Sequence, residues 1–205
     1  QQLSRNQVEF ATGLASFTSP HGIKITTPSG AVEVEGAFIL IGVGTHPIRP
    51  RQIPFDDECL FDSDTILRMK KLPKTLAVIG AGVIGSEYAS IFGRLGVQVT
   101  IVDRRTTLFR SSDNDVLHAL TTHFSTHGIK MMLGRDFDGI QVIHDKGNRH
   151  VEFKVGGEKV VVDAAMYCMG REGNVKDLNL AAARLNADER GILKVNEHYQ
   201  THIPH

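Results

Sequence analysis

Six residues limit what this chain can fold into more than any others: Gly80-Ala81-Gly82-Val83-Ile84-Gly85, with a short apolar stretch (76–79) before them and an amphipathic one behind. A strand that turns sharply into a helix needs a glycine at the turn, which Gly80 supplies. Gly82 removes the Cβ that would stand between the backbone and an approaching anion, and Gly85 lets the helix lie close on the strand. The first helical turn leaves N–H groups unbonded and carries a partial positive charge. With 20 glycines in the chain the spacing alone is weak evidence, and its context has to carry the argument. Ile84, Tyr88, Ile91, Phe92 and Leu95 share one helical face, Gly96 is a natural stop, and 97–102 reads as a second strand running into Asp103. Asp103 lies 23 positions after Gly80, near the spacing of about 20 at which a carboxylate meets a ribose diol. This predicts a dinucleotide site in which Gly80, Gly82, Val83, Ile84 and Gly85 cradle the pyrophosphate and Asp103 accepts the ribose hydroxyls.

An acid in that place repels a 2′-phosphate and favours NAD. Arg104 and Arg105 follow at once, however, and Arg110 lies seven positions beyond Asp103. These arginines either clamp a 2′-phosphate through bidentate guanidinium contacts or are solvated loop charges. Acid and arginines side by side point to use of both NAD(H) and NADP(H).

The rest of the chain falls into three textures. In the first fifty residues, 8–10, 23–26 and 31–34 read as short strands between turns. The apolar run Ala37-Phe38-Ile39-Leu40-Ile41-Gly42 reads as a buried strand, and Pro47, Pro50 and Pro54 make the stretch to about residue 60 a connector. After Asp103, Ser112 and Asp113 are N-cap candidates, Ser112 with Asp115 resembles a capping box, and Val116, Leu117, Leu120 and Phe124 stripe a second helix that ends at Gly128. Beyond it, 129–133, 139–144, 151–155 and 160–162 are strand candidates, with hairpin turns at Asp145-Lys146-Gly147-Asn148 and Gly156-Gly157 and a last apolar stretch over 161–168. An antiparallel meander inserted as the crossover of a parallel α/β unit explains this order. The expected fold class is α/β, a Rossmann-like three-layer domain.

Composition excludes several alternatives. Lys plus Arg equals Asp plus Glu at 23 each, so no global field favours nucleic acid or acidic membranes, and the absence of Trp argues against a base-stacking platform. No apolar run approaches the roughly 20 residues of a bilayer span. Cys59 and Cys168 stand far apart, without a C-x-x-C, and read as ordinary thiols of a reducing, cytoplasmic environment. His123 and His127 are spaced i, i+4 but lack the glutamate of H-E-x-x-H, so no metal site is expected.

Taken with Glu87-Tyr88-Ala89-Ser90-Ile91-Phe92 and Val99-Thr100-Ile101-Val102-Asp103, the glycine loop resembles the central domain of the flavoprotein pyridine nucleotide–disulfide oxidoreductases. Three further segments agree: Ile39-Leu40-Ile41-Gly42-Val43-Gly44-Thr45-His46-Pro47, Phe61-Asp62-Ser63-Asp64, and Tyr167-Cys168-Met169-Gly170-Arg171-Glu172-Gly173-Asn174. The resemblance implies a partial, β-rich remnant of the flavin domain with its connector over 1–60, an NAD(P)-binding Rossmann domain over 61–175, and a return segment over 176–205. It implies hydride transfer from NADPH to NAD through FAD, with homo-oligomerisation through a C-terminal domain outside this chain. This piece alone is expected to hold no FAD and to turn over nothing. By position, Arg104 and Arg110 fall where NADP-preferring members bind phosphate, and Gly170 belongs to the exit segment beside the nucleotide. Glu87 lies near the flavin–nicotinamide junction or is a solvated helix charge, and Arg171 approaches the cofactors or caps a loop. A dihydrolipoamide dehydrogenase or other disulfide reductase shares the same central domain. A nucleotide-binding module without chemistry is the reading from another class.

Overall fold

A computed structural model of the chain describes residues 2–109, 112–145 and 147–205. It divides into two compact units, one formed by Pro47–Arg171 and the other by the residues up to His46 with Glu172–His205.

The discontinuous unit starts with a single-turn helix α1 (Gln2–Arg5), followed by an antiparallel sheet of β1 (Leu14–Phe17), β2 (Gly22–Thr27) and β3 (Gly30–Glu35). Phe17, Leu178 and Ala183 form its small core, with Ile23, Ile39 and Ile41 packed against them. Two expectations fail here. Residues 8–10 are exposed coil: Val8-Glu9-Phe10 is too short to hold a strand without a ladder to join. Ala37 to Gly42 forms no strand; Ile39 and Ile41 pack against the small core, and Phe38 and Leu40 are 82% and 95% exposed. β4 is Thr45–Pro47.

The continuous unit is built on a five-stranded parallel sheet of β5 (Leu60–Asp62), β6 (Thr75–Ile79), β7 (Gln98–Asp103), β8 (Lys130–Leu133) and β12 (Ala164–Tyr167). Helix α2 (Val83–Arg94) joins β6 to β7, and α3 (Asn114–Thr126) joins β7 to β8. The return from β8 to β12 is an antiparallel meander of β9 (Phe137–Asp145), β10 (Asn148–Val155) and β11 (Glu158–Val162). β13 (Arg171–Gly173) follows β12. Spatial order is β5-β12-β6-β7-β8, so the direction of winding reverses between β6 and β12.

Strand alternation decides which layer covers each face. Leu76 and Val78 of β6, with Val99 and Ile101 of β7, meet Ala89 and Phe92 of α2 and Phe124 of α3. Ala77, Ile79 and Val102 face the other way onto Val151, Phe153 and Val155 of the meander. Helices, sheet and meander therefore form three layers, the fold class expected from the sequence. β5 replaces part of the expected connector: Leu60, Phe61 and Asp62 pair with Ala165, Met166 and Tyr167, a ladder no local pattern reveals.

The inward face of α2 is rotated from the expected one. Gly85, Ser86, Ala89 and Phe92 are buried, whereas Ile91 is 53% exposed and Leu95 also faces solvent. Close helix–strand packing admits small residues at the contact and moves large ones to the flanks. On α3, Phe124 is buried and Leu117 and Leu120 are half-buried, but Val116 is exposed. Asp113 holds the N-cap position, and its side chain makes no capping hydrogen bond.

Candidate nucleotide site

Gly80, Gly82, Val83, Ile84, Gly85, Asp103 and Gly170 lie at the carboxyl ends of β6, β7 and β12, where the winding reverses, whereas Arg104 and Glu87 point away from them. Such crevices receive ligands in open α/β sheets. Arg110 lies outside the described residues.

The three glycines of the loop are glycine for three different reasons. Gly80 has φ +119°, and a Cβ there would lie 2.9 Å from the Cys168 carbonyl oxygen, so both backbone and space demand it. A Cβ on Gly85 would lie 1.9 Å from the Gly80 carbonyl oxygen, which only a bare backbone avoids. Gly82 has φ −74° and ψ −177°, open to any residue, and the nearest atom to an added Cβ is Arg105 Nη2 at 3.9 Å. No described residue requires glycine at 82. The space it leaves lies at the start of α2, where the first-turn N–H groups of Val83, Ile84 and Gly85 lack intrahelical acceptors.

Asp103 ends β7 under this loop and is 1% exposed. Its Oδ2 accepts from Ala81 N–H (2.6 Å) and Arg105 Nη2 (2.6 Å), its Oδ1 from Arg105 N–H (2.8 Å) and Nε (3.0 Å). Burial by itself pushes the carboxyl up, but the Arg105 guanidinium and these main-chain donors outweigh it and hold it below the usual carboxylate range. Arg104 points elsewhere, pairing with Asp136 (2.8 Å) above the Phe137 ring. Glu87 is exposed on the first turns of α2 and makes no ion pair among the described residues. Gly170, at φ +125°, follows β12, and its carbonyl accepts from Ile48 N–H at 3.2 Å. Arg171 binds Asp64 (3.1 Å) and Ser63 Oγ (3.3 Å), the segment just after β5. Tyr88 donates to the Ser63 carbonyl at 2.9 Å, tying α2 to the same segment.

Two participants were not singled out from the sequence. Arg105 is named in the sequence only beside Arg104 and Arg110, to which the phosphate falls by position; its place two residues after a strand-ending acid, where a side chain folds back, is the signal that points to it. Cys168 lies beneath the loop with its Sγ 3.3 Å from the carbonyl oxygens of Ile79 and Gly80, and burial pushes its thiol up to about 12. Cys59, buried against Asp56, is pushed to the same value by burial and that carboxylate. No cluster of three or more metal-ligating side chains occurs among the described residues, and no described helix is long and apolar enough to cross a membrane.

A glycine loop at the winding reversal of a three-layer α/β unit defines a class of dinucleotide-binding proteins. The pattern of the pyridine nucleotide-disulphide oxidoreductases matches residues 2–205, and the chain belongs to that family. It is 41% identical over 201 residues to a soluble pyridine nucleotide transhydrogenase of Colwellia psychrerythraea, and 37% identical over 202 residues to one of Pseudomonas putida. Each alignment spans 98% of this chain, but only 42% and 43% of the relatives' lengths. Among solved structures, LpdA of Mycobacterium tuberculosis superposes with TM-score 0.85 at 24% identity, covering 98% of this chain and 44% of that one. The flavoprotein disulfide reductase RclA of Escherichia coli superposes with TM-score 0.80 at 26% identity, covering 96% and 44%.

Proposed function

We propose that this chain is the nicotinamide-nucleotide-binding part of a flavin-dependent soluble pyridine nucleotide transhydrogenase, a cytoplasmic enzyme that moves hydride from NADPH to NAD. The observation that carries this reading is Gly82, glycine where no described residue calls for one, at a helix start with free N–H groups. A pyrophosphate fits that opening, with main-chain N–H groups of Val83, Ile84 and Gly85 as donors. Gly80 and Gly85 shape the turn, Asp103 takes the ribose end, Arg104 and Arg110 flank a 2′-phosphate, and Gly170 borders the crevice. Glu87, exposed beside the loop, is assigned to the nicotinamide end. The transhydrogenase relatives, at up to 41% identity, favour this enzyme over others that share the domain.

Bound flavin would supply a two-electron store between the nucleotides. Gly80 to Gly85 is the one strand–glycine loop–helix unit among the described residues, so no residue here is assigned to flavin and no step is derived through it. We assign 61–175 to the nucleotide domain, with 1–60 and 176–205 to the flavin domain; homo-oligomerisation is assigned to chain outside this sequence.

The similarity to RclA supports a second reading, a disulfide reductase. Assaying the intact protein for NADPH-dependent reduction of an NAD analogue, against a lipoamide control, separates the two. Faster lipoamide reduction would overturn the transhydrogenase reading.

A further inference from the structure

Asp103 has no acceptor capacity left for a ligand. A carboxylate offers about four lone-pair sites, and four N–H groups fill them here. Two are main-chain donors, from Ala81 and Arg105, that the fold holds in place. The Arg105 backbone is further pinned by its carbonyl, which accepts from Gly134 N–H at 2.8 Å. The other two donors, Nε and Nη2, belong to the Arg105 guanidinium, whose side chain is 34% exposed and lies over the glycine loop. A ribose diol can reach the carboxylate only through the positions this guanidinium fills.

We propose that Arg105 sets the balance between NAD and NADP at this site, as an internal occupant of Asp103 that a free ribose diol displaces and a 2′-phosphate keeps in place. The proposal rests on the reading that nucleotide lies on the Gly80 to Gly85 loop. With NADH, the 2′- and 3′-hydroxyls donate to the two positions the guanidinium vacates, and Arg105 swings to its open side. With NADPH, the phosphate cannot approach a bare carboxylate. Arg105 stays, neutralises Asp103, and turns its remaining N–H donors to the phosphate. One side chain thus removes the exclusion that an acid at this position otherwise imposes on NADP. Arg104 is already engaged with Asp136 and contributes less.

Dissociation constants for NADH and NADPH, measured on the intact protein and its Arg105→Gln and Arg104→Ala variants, test this. Arg105→Gln is expected to weaken NADPH by about tenfold or more while leaving NADH unchanged or tighter. A parallel change in both nucleotides, or a ratio moved by Arg104→Ala and not by Arg105→Gln, overturns the proposal. Wild-type protein that binds neither nucleotide overturns the placement of the site as well, so the two failures are distinguishable. If Arg105→Gln does not fold, crystals of wild-type protein with ADP-ribose and with 2′-phospho-ADP-ribose decide. The guanidinium should be off Asp103 in the first and on it in the second; finding it on Asp103 in both overturns the proposal.

Discussion

At the scale of single residues, the glycine loop separates what a fold needs from what a ligand needs. Gly82→Val is expected to abolish binding of both nucleotides while leaving the melting temperature nearly unchanged, since Arg105 Nη2 is the nearest atom to an added Cβ. Gly85→Ala does the opposite: its methyl meets the Gly80 carbonyl, and destabilisation at or above about 3 kcal/mol is expected by urea titration. Equal melting temperatures for the two variants would show that the glycines are not divided in this way. The loop and its acid were legible in the sequence because turn, spacing and helix start are local properties. The state of Asp103 was not. Which of three neighbouring arginines folds back onto a carboxylate depends on what else each one finds, and Arg104 finds Asp136 and Phe137 on the meander side.

At the scale of elements, β6, β7 and the meander strands were readable from period-two patterns and turn residues, since each lies beside a partner close in sequence or carries a strong apolar run. β5 was not, because its three residues are held by β12. The stretch from Ala37 to Gly42 failed for the converse reason: an apolar run specifies a strand only when a ladder receives it. Helix α2 shows how packing overrides periodicity. Ala89→Leu should destabilise by about 1–3 kcal/mol by overfilling the helix–sheet contact. Ile91→Ser should stay within about 0.5 kcal/mol despite removing the larger apolar group. Urea midpoints in the reverse order would restore the face expected from the sequence.

For the whole molecule, buried acids tie stability to pH. Burial pushes Asp103 and Asp62 up, but arginine and main-chain donors overrule it and hold both below their ordinary range. Folded-state values under the unfolded value of about 3.9 mean that their stabilisation is complete above that pH and is lost as pH falls through the folded values. A urea midpoint flat from pH 8 to 5 and falling below about 4 is expected; a midpoint unchanged down to pH 3 would contradict it. The thiols behave in the opposite sense. Burial pushes both the Cys59 and the Cys168 thiol up to about 12, so little of either is thiolate at neutral pH. A maleimide dye should therefore ignore the native chain and label both sites only after denaturation. On that expectation, a fluorophore or spin label sent to one newly introduced surface cysteine of this chain should leave Cys59 and Cys168 untouched, so that neither has to be deleted first.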